Sequence, residues 1–291
     1  MDAANNGRGP DTWWQSWTHL HVDRRSRGYC RVTFDHPPIN TITATTVAEL
    51  AELVGLIEQD RDLNAVVFDS ANPEFYLAHY DVEHDPARTA ALGVGPTGMH
   101  AWLDLLVRLS RAPVVSIASI RGRARGSGSE FVLACDLRFA SRENTLLGQF
   151  EVGAGVVPGG GPMARLPRLV GRGRALEILL VADDCDGPRA EQYGYVNRVI
   201  ADDRLDDEVD FIASRVARFD HDAIARTKSY VDQVALPHDR ELPPALADFF
   251  EMLGRPAQQA QSARLEALGL NVDSDLERCL GRRVVESLPD A

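Results

Sequence analysis

The first part of the chain alternates between strand-like and helix-like spacing of its apolar residues. Two alternating stretches at 19–24 and 29–35 flank turn residues at 26–28, which predicts a β-hairpin. After a break at two consecutive prolines, Thr43 is positioned to cap a helix. The apolar residues of that helix recur at helical spacing: Val47, Leu50, Leu53, Val54 and Ile57. The apolar run at 63–69 then predicts a short buried strand.

The middle of the chain continues this alternation. Helical periodicity at 99–109 ends before Pro113, and the apolar, β-branched stretch at 114–120 predicts a strand. The predicted elements that follow are a glycine-rich turn at 122–128, a helix at about 127–135 and a strand at 137–140. Alternating strands and helices indicate an α/β fold with a mostly parallel sheet and right-handed crossovers.

The pattern changes to helix only beyond about residue 205. We therefore expect three parts: a flexible N-terminal segment at 1–16, an α/β core at 17–205 and a helical C-terminal region at 206–291. Aromatic residues near the start indicate a contact that pins this segment to the body or to a neighbouring subunit. These residues are Trp13, Trp14 and Trp17.

Charge and composition exclude several classes of protein. The chain carries 43 acidic and 31 basic side chains, a formal net charge of −12, so it would on average repel a nucleic acid. No apolar run approaches the ~20 residues that span a bilayer, and the opening MDAANNGRGPDT lacks the apolar core of a secretory signal. These features favour a cytoplasmic protein. The four cysteines are Cys30, Cys135, Cys185 and Cys279. They form no CxxC pair, which argues against a zinc knuckle or a disulfide framework.

The glycine-rich turn is the most informative segment for chemistry. Gly122, Gly126 and Gly128 separate a predicted buried strand from a predicted helix. Small residues at such a junction expose the first N–H groups of the helix, which lack intrahelical partners and lie at the positive end of the dipole. The turn is therefore a candidate oxyanion receptor, with a simple tight turn as the alternative. No GxxxxGK[ST] or GxGxxG motif follows a strand, which disfavours phosphate-loop and dinucleotide sites.

A pair of glutamates accompanies this turn. Glu130 falls in the first turn of the predicted helix, and Glu151 follows 21 residues later, after the chain has crossed the sheet and returned to the same edge. Two carboxylates at one oxyanion site can deliver a proton to one carbon while activating water at its neighbour. Each glutamate viewed singly is typical of a protein surface or a helix cap.

Two further clusters have alternative interpretations. The stretch HYDVEHD contains possible metal ligands, His79, Asp81, His84 and Asp85. No recognised zinc spacing accompanies them, so we predict no metal site and a loop from which His79 projects outward. His79 turned into a pocket would instead be a candidate acid or base. Three arginines alternate along the chain: Arg121, Arg123 and Arg125. They could bind a carboxylate or a phosphate, or they could lie in a solvated basic loop.

Several blocks together resemble the crotonase superfamily, the enoyl-CoA hydratase/isomerase group, over residues 17–205. The blocks are FDHPPINTIT at 34–43, FYLAHYDV at 75–82, GSGSE with the following ACDLRFAS, GQFEVGAGVVPGGG at 148–161 and RAEQYGYVNRVI at 189–200. The resemblance implies a crotonase-like (ββα)n spiral core with a C-terminal helical annex. It also implies a homotrimer or homohexamer in which these helices cover a neighbour's site.

The same resemblance implies an activity. The backbone N–H groups of the oxyanion hole fall on Tyr80 and Ser127, and Glu130 and Glu151 fall on positions that are both glutamate in hydratases. Simple isomerases usually keep only the later one. The implied reaction is hydration of an α,β-unsaturated acyl-CoA, with CoA as part of the substrate and without a metal or redox cofactor. Further residues implied to contact substrate are Ala78, His79, Asp81, Arg123, Arg125 and Gly128.

Departures from the family pattern keep alternatives open. His79 and Tyr80 stand where the family has a glycine and a small residue, and Ser127 replaces the middle glycine of its triple. GRPAQQAQSARLEALG stands where the family often has a segment that covers the CoA nucleotide. The alternatives are an isomerase, a C–C hydrolase or other enolate enzyme acting on a non-CoA carbonyl compound, and a non-catalytic assembly component.

Overall fold

The structure is a computed structural model that describes residues 17–81 and 86–288. The predicted flexible segment at 1–16, with Trp13 and Trp14, lies outside the described residues, as do His84 and Asp85. Trp17 is described, and it packs against the main core and donates a hydrogen bond from Nε1 to Glu52 Oε2 at 3.3 Å.

Strands and helices alternate through the first two thirds of the chain. The strands are β1 (Leu20–Ser26), β2 (Tyr29–Phe34), β3 (Ala65–Ser70), β4 (Phe75–Leu77), β5 (Val115–Ile120), β6 (Arg123–Arg125), β7 (Leu137–Ser141), β8 (Leu146–Gly148), β9 (Cys185–Asp186) and β10 (Arg198–Ile200). The helices up to residue 193 are α1 (Ala44–Gln59), α2 (Pro86–Ala90), α3 (Ala101–Arg111), α4 (Ser127–Ala134), α5 (Pro162–Val170), α6 (Arg172–Val181) and α7 (Gly187–Tyr193).

Helices dominate the remainder, as predicted. They are α8 (Leu205–Val216), α9 (His221–Ala235), α10 (Pro243–Leu253), α11 (Pro256–Ala267), α12 (Asp275–Arg278) and α13 (Leu280–Arg283). Short 3-10 turns lie at Asp202–Arg204, Asp239–Glu241 and Val284–Ser287. Within the described residues, no helix is long and apolar enough to cross a membrane.

The strands form a six-stranded sheet in the order β1-β2-β3-β5-β7-β10 and a four-stranded sheet in the order β4-β6-β8-β9. In the larger sheet only the β1–β2 hairpin is antiparallel, which confirms the predicted α/β fold with a mostly parallel sheet. The smaller sheet has no sequence signal, because its strands are only two or three residues long. One residue separates the end of strand β6 of this sheet from the start of α4, so the small sheet lies beside the N-terminus of that helix.

The predicted helix start at Thr43 is confirmed. The Thr43 side chain accepts a hydrogen bond from the N–H of Thr46, and Thr46 Oγ1 accepts one from the N–H of Thr43. This reciprocal capping box satisfies backbone donors that have no partner within the helix. The apolar stripe behind the cap is buried in the main core: Val47, Leu50, Leu53, Val54 and Ile57.

A close contact between α4 and the small sheet requires glycine at 128. A Cβ on Gly128 would lie 2.1 Å from the carbonyl oxygen of Leu77 in β4. Because no side chain fits there, α4 can approach β4 closely enough to place its N-terminus beside the segment that follows β4. The glycine therefore has a packing function, and this packing positions the candidate site.

The C-terminal helices pack onto the core of the same chain. Leu242 and Leu246, at the start of α10, join a cluster with Leu103 of α3. Leu265 of α11 joins another cluster with Phe150, which directly precedes Glu151. These contacts place α10 and α11 over the turn at the start of α4.

Candidate active site

Two adjacent cavities lie between the start of α4 and the C-terminal helices. Their volumes are about 50 and about 80 Å³, and both are lined by Tyr80, Ser127, Glu151 and Phe249. We call the smaller one the carboxylate cavity, because Glu130 also lines it. Larger cavities of about 750 and about 460 Å³ adjoin α9, but neither glutamate lines them. Size alone therefore does not identify the site.

The backbone brings Tyr80 and Ser127 to the same cavity wall. Ser127 is the first residue of α4, and its N–H is one of the groups that a helix leaves without an internal acceptor. Gly126 precedes it with φ of 49°, a conformation that favours glycine. Tyr80 is held by a bridge to Ile42, whose N–H donates to His79 O at 2.8 Å and whose carbonyl accepts from Asp81 N at 2.9 Å.

Glu130 is buried and accepts hydrogen bonds at both carboxylate oxygens. Its Oε1 accepts from the N–H of Gly160 at 2.6 Å, and its Oε2 accepts from the indole Nε1 of Trp102 at 2.8 Å. Burial raises the pKa of Glu130 above its usual value, although both hydrogen bonds act in the opposite direction. The carboxylate is therefore fixed in orientation by donors that favour its ionised form.

Glu151 is buried in a different environment. Burial, and then the nearby negative charge of Glu130, raise the pKa of Glu151 well above its usual value. The side-chain amide of Gln149 lies 3.1 Å from both carboxylate oxygens of Glu151. Gly126 faces the same carboxylate, since a Cβ there would lie 2.9 Å from Glu151 Oε1.

The two carboxylates form an electrostatically coupled pair that disfavours two negative charges. Glu130 has the indole and amide donors, whereas the charge of Glu130 itself pushes the pKa of Glu151 upward. Because the pKa of Glu151 is raised further than that of Glu130, a single proton on the pair lies preferentially on Glu151. Such a pair holds one proton acceptor and one proton donor on the same cavity.

The prediction that His79 projects outward is wrong. His79 is buried, and its Nε2 lies 2.7 Å from Oε1 of the fully buried Glu277 in α12. Burial lowers the pKa of His79, but Glu277 outweighs this effect and raises it above the usual value. The pKa of Glu277 is held below its usual value despite burial, because His79 faces it. The described residues contain no cluster of possible metal ligands.

The structure also corrects the expectation for the loop arginines. Arg125 is buried, and its Nε and Nη2 donate to the carboxylate of Asp184 at 2.6 and 2.8 Å. Arg123 donates to the carbonyls of Arg278 and Glu74. Arg125 Nη1 also donates to the carbonyl of Glu277, so both guanidinium groups hold the C-terminal segment to the small sheet, and neither lines the two cavities. Their direction follows from β6, which sends them toward α12 and not into a solvated loop.

The remaining residues implied to contact substrate lie behind the cavity walls. Ala78 is fully buried; its N–H donates to Asn40 O at 3.1 Å and its carbonyl accepts from Arg125 N at 3.2 Å. Asp81 is buried beside the Ile42 bridge. With Gly128 packed on β4, these positions shape the backbone, and only His79 of the set lines a cavity.

Sequence reasoning missed much of the cavity lining. Trp102 carried only an apolar signal within a helical pattern, and nothing local linked it to Glu130. Residues of α10 line the carboxylate cavity from within the same chain. The lining residues missed are Thr89, His100, Trp102, Gly159, Gly160, Leu246, Phe249 and Phe250.

Comparisons with known proteins agree on one family. The family model described as enoyl-CoA hydratase/isomerase matches residues 24–264. A short-chain-enoyl-CoA hydratase of Clostridium acetobutylicum is 32% identical over 190 residues, which cover 64% of this chain and 70% of that protein. A solved structure of a candidate enoyl-CoA hydratase from Streptomyces avermitilis has a TM-score of 0.87 and 39% identity, covering 95% of this chain and 99% of that chain. An enoyl-CoA hydratase/isomerase from Xanthobacter autotrophicus Py2 has a TM-score of 0.74 and 25% identity, covering 88% and 95%.

Proposed function

Because the chain belongs to the enoyl-CoA hydratase/isomerase family and has its crotonase-like fold, we propose that it adds water across the double bond of an α,β-unsaturated acyl-CoA. The observation that carries the proposal is the coupled pair Glu130 and Glu151 on one cavity. The cavity also contains Tyr80 and Ser127, the positions of the implied oxyanion donors. The similarity to a short-chain-enoyl-CoA hydratase supports the same reaction.

The start of α4 would polarise the thioester carbonyl. In the proposed complex, the N–H groups of Tyr80 and Ser127 donate to the carbonyl oxygen, where negative charge grows as an enolate forms. Donors fixed by the Ile42 bridge and by the start of a helix need little reorganisation during the reaction. The helix dipole adds a favourable field at the same place.

The two glutamates would divide the proton transfers. Ionised Glu130 takes a proton from water as the water oxygen bonds to the β-carbon, and protonated Glu151 gives its proton to the α-carbon. The product contains the elements of one water molecule, and one proton has moved from Glu151 to Glu130. Proton exchange between the carboxyl groups or with solvent restores the starting state. The addition is redox-neutral, and we propose no metal or redox cofactor for it.

The test is an assay of purified protein with enoyl-CoA esters of several chain lengths, following loss of the conjugated thioester absorbance. Glu130→Gln and Glu151→Gln keep the shape of the side chains but remove the exchangeable proton. We expect each to lower kcat by about 100-fold or more, as is typical for acid–base groups, with little change in Tm. Glu52→Gln, at an exposed position, is the matched control. Absence of both turnover and CoA-ester binding in the wild type would contradict the proposal.

One of the alternatives loses most of the observations that favoured it, and the isomerase alternative is tested by the same assay, because an isomerase would not remove the conjugated double bond by adding water. A C–C hydrolase or other enolate enzyme on a non-CoA carbonyl compound was suggested by His79, Tyr80 and the loop arginines. Tyr80 lines both cavities, but His79 is paired with Glu277. Arg125 is paired with Asp184, and Arg123 donates to the carbonyl of Arg278. Turnover abolished by both glutamine variants would exclude a non-catalytic assembly component. The homotrimer or homohexamer stays a prediction, which light scattering of the purified protein would test.

A further inference from the structure

An indole holds one of the two carboxylates. Trp102 lies in the first turn of α3 and is buried, and its Nε1 donates to Oε2 of Glu130 at 2.8 Å. The other oxygen of Glu130 accepts from Gly160 N at 2.6 Å. Each carboxylate oxygen of Glu130 therefore accepts a hydrogen bond from a different part of the chain. Trp102 also forms part of the wall of the carboxylate cavity.

We propose that Trp102 is a positioning residue for Glu130, whose indole N–H fixes the direction of the carboxylate and keeps it ionised for its reaction with water. This inference rests on the proposed hydration. It assigns Trp102 a role through Glu130 and not through the thioester carbonyl.

The packing around Glu130 explains why an indole is effective. A Cβ on Gly160 would lie 1.9 Å from Glu130 Oε2 and 2.6 Å from Trp102 Nε1, so the three groups are in direct contact. The 2.8 Å separation leaves no space for water between the indole and the carboxylate. A donor that faces a charged acceptor in such a site forms a stronger hydrogen bond than a neutral pair. A rigid ring also has little freedom to turn away.

The contact with Trp102 gives the two glutamates different tendencies to hold a proton. Trp102 donates to Glu130 only, and Glu151 lies at the boundary between the two cavities. In a coupled pair, a donor given to one member favours its ionised form and leaves the proton on the other. Trp102 therefore helps to set which glutamate accepts a proton and which donates one.

The kinetic test compares the wild type with Trp102→Phe, which keeps an aromatic ring and removes the N–H. Loss of a hydrogen bond to a charged group predicts a fall in kcat of about 10- to 100-fold. In the plot of kcat/KM against pH, the acidic limb should shift to higher pH by about one to two units, with a smaller change in KM. Trp17→Phe removes an indole donor to the exposed Glu52 and serves as the control, with no expected shift. A Trp102→Phe profile that coincides with the wild type would overturn the proposal.

A second measurement needs neither activity nor a folded Trp102 variant. In the substrate-free protein, the indole Nε1–H resonance of Trp102 should titrate with Glu130 in the wild type and not in Glu130→Gln. A resonance that does not respond to pH, or that is unchanged by Glu130→Gln, would overturn the proposal. If the coupling is present while no enoyl-CoA ester is hydrated, the proposed reaction fails and the role of Trp102 toward Glu130 stands.

Discussion

The ion pair between His79 and Glu277 should stabilise the fold in a defined pH range. Glu277→Gln removes the negative charge that faces a buried imidazole at 2.7 Å. Breaking a buried pair costs about 3–5 kcal/mol when the remaining charge stays ionised. His79 can lose its proton, so the loss is limited to that of a buried hydrogen bond, about 1–3 kcal/mol. For a chain of this size we expect Tm to fall by roughly 2–4 °C per kcal/mol.

The pH dependence follows from the directions of the two pKa shifts. The pKa of His79 is raised above 6.5, so its contribution is full below 6.5 and is lost as the pH rises through the folded-state value. The pKa of Glu277 is lowered below 4.5, so its contribution is full above 4.5 and is lost as the pH falls through the folded-state value. The difference between wild type and Glu277→Gln should therefore be largest between about pH 4.5 and 6.5.

Thermal unfolding monitored by circular dichroism at several pH values checks this prediction. Glu58→Gln is the control, because Glu58 pairs with Arg108 at a partly exposed site where such a bridge contributes about 0–1 kcal/mol. If Glu277→Gln lowers Tm no more than Glu58→Gln does, or by the same amount at every pH, the buried pair has no stabilising role and the reasoning is refuted.

Two further substitutions test the packing that positions the site. Gly128→Ala should destabilise the protein by several kcal/mol, because its Cβ would lie 2.1 Å from Leu77 O, whereas Gly173→Ala on α6, with open space around it, should be neutral or stabilising by about 0.5–1 kcal/mol in denaturant melts. Equal effects of the two would contradict the close-approach argument. Arg125→Lys should lower Tm, because lysine cannot replace the paired hydrogen bonds to Asp184. An unchanged melting curve would show that this buried bridge adds no stability.

The sequence by itself determined the elements with strong local signals. The capping residue Thr43 and the apolar spacing behind it predicted α1, and the β-branched runs predicted the central strands β3 and β5. These predictions agree with the structure because each rests on residues that are close together in the chain. The pairing of Glu130 with Glu151 was also predictable, since chain segments that return to one sheet edge bring their ends together.

Only the tertiary structure decided what surrounds those carboxylates. Trp102 reaches Glu130 from a different helix, 28 residues away, and Glu277 reaches His79 across 198 residues. The sequence left Arg125 open between a substrate contact and a solvated cation, because its partner Asp184 is distant in sequence. The direction and the protonation of a side chain depend on burial and on charges contributed by remote segments, and no local pattern in the sequence encodes these contacts.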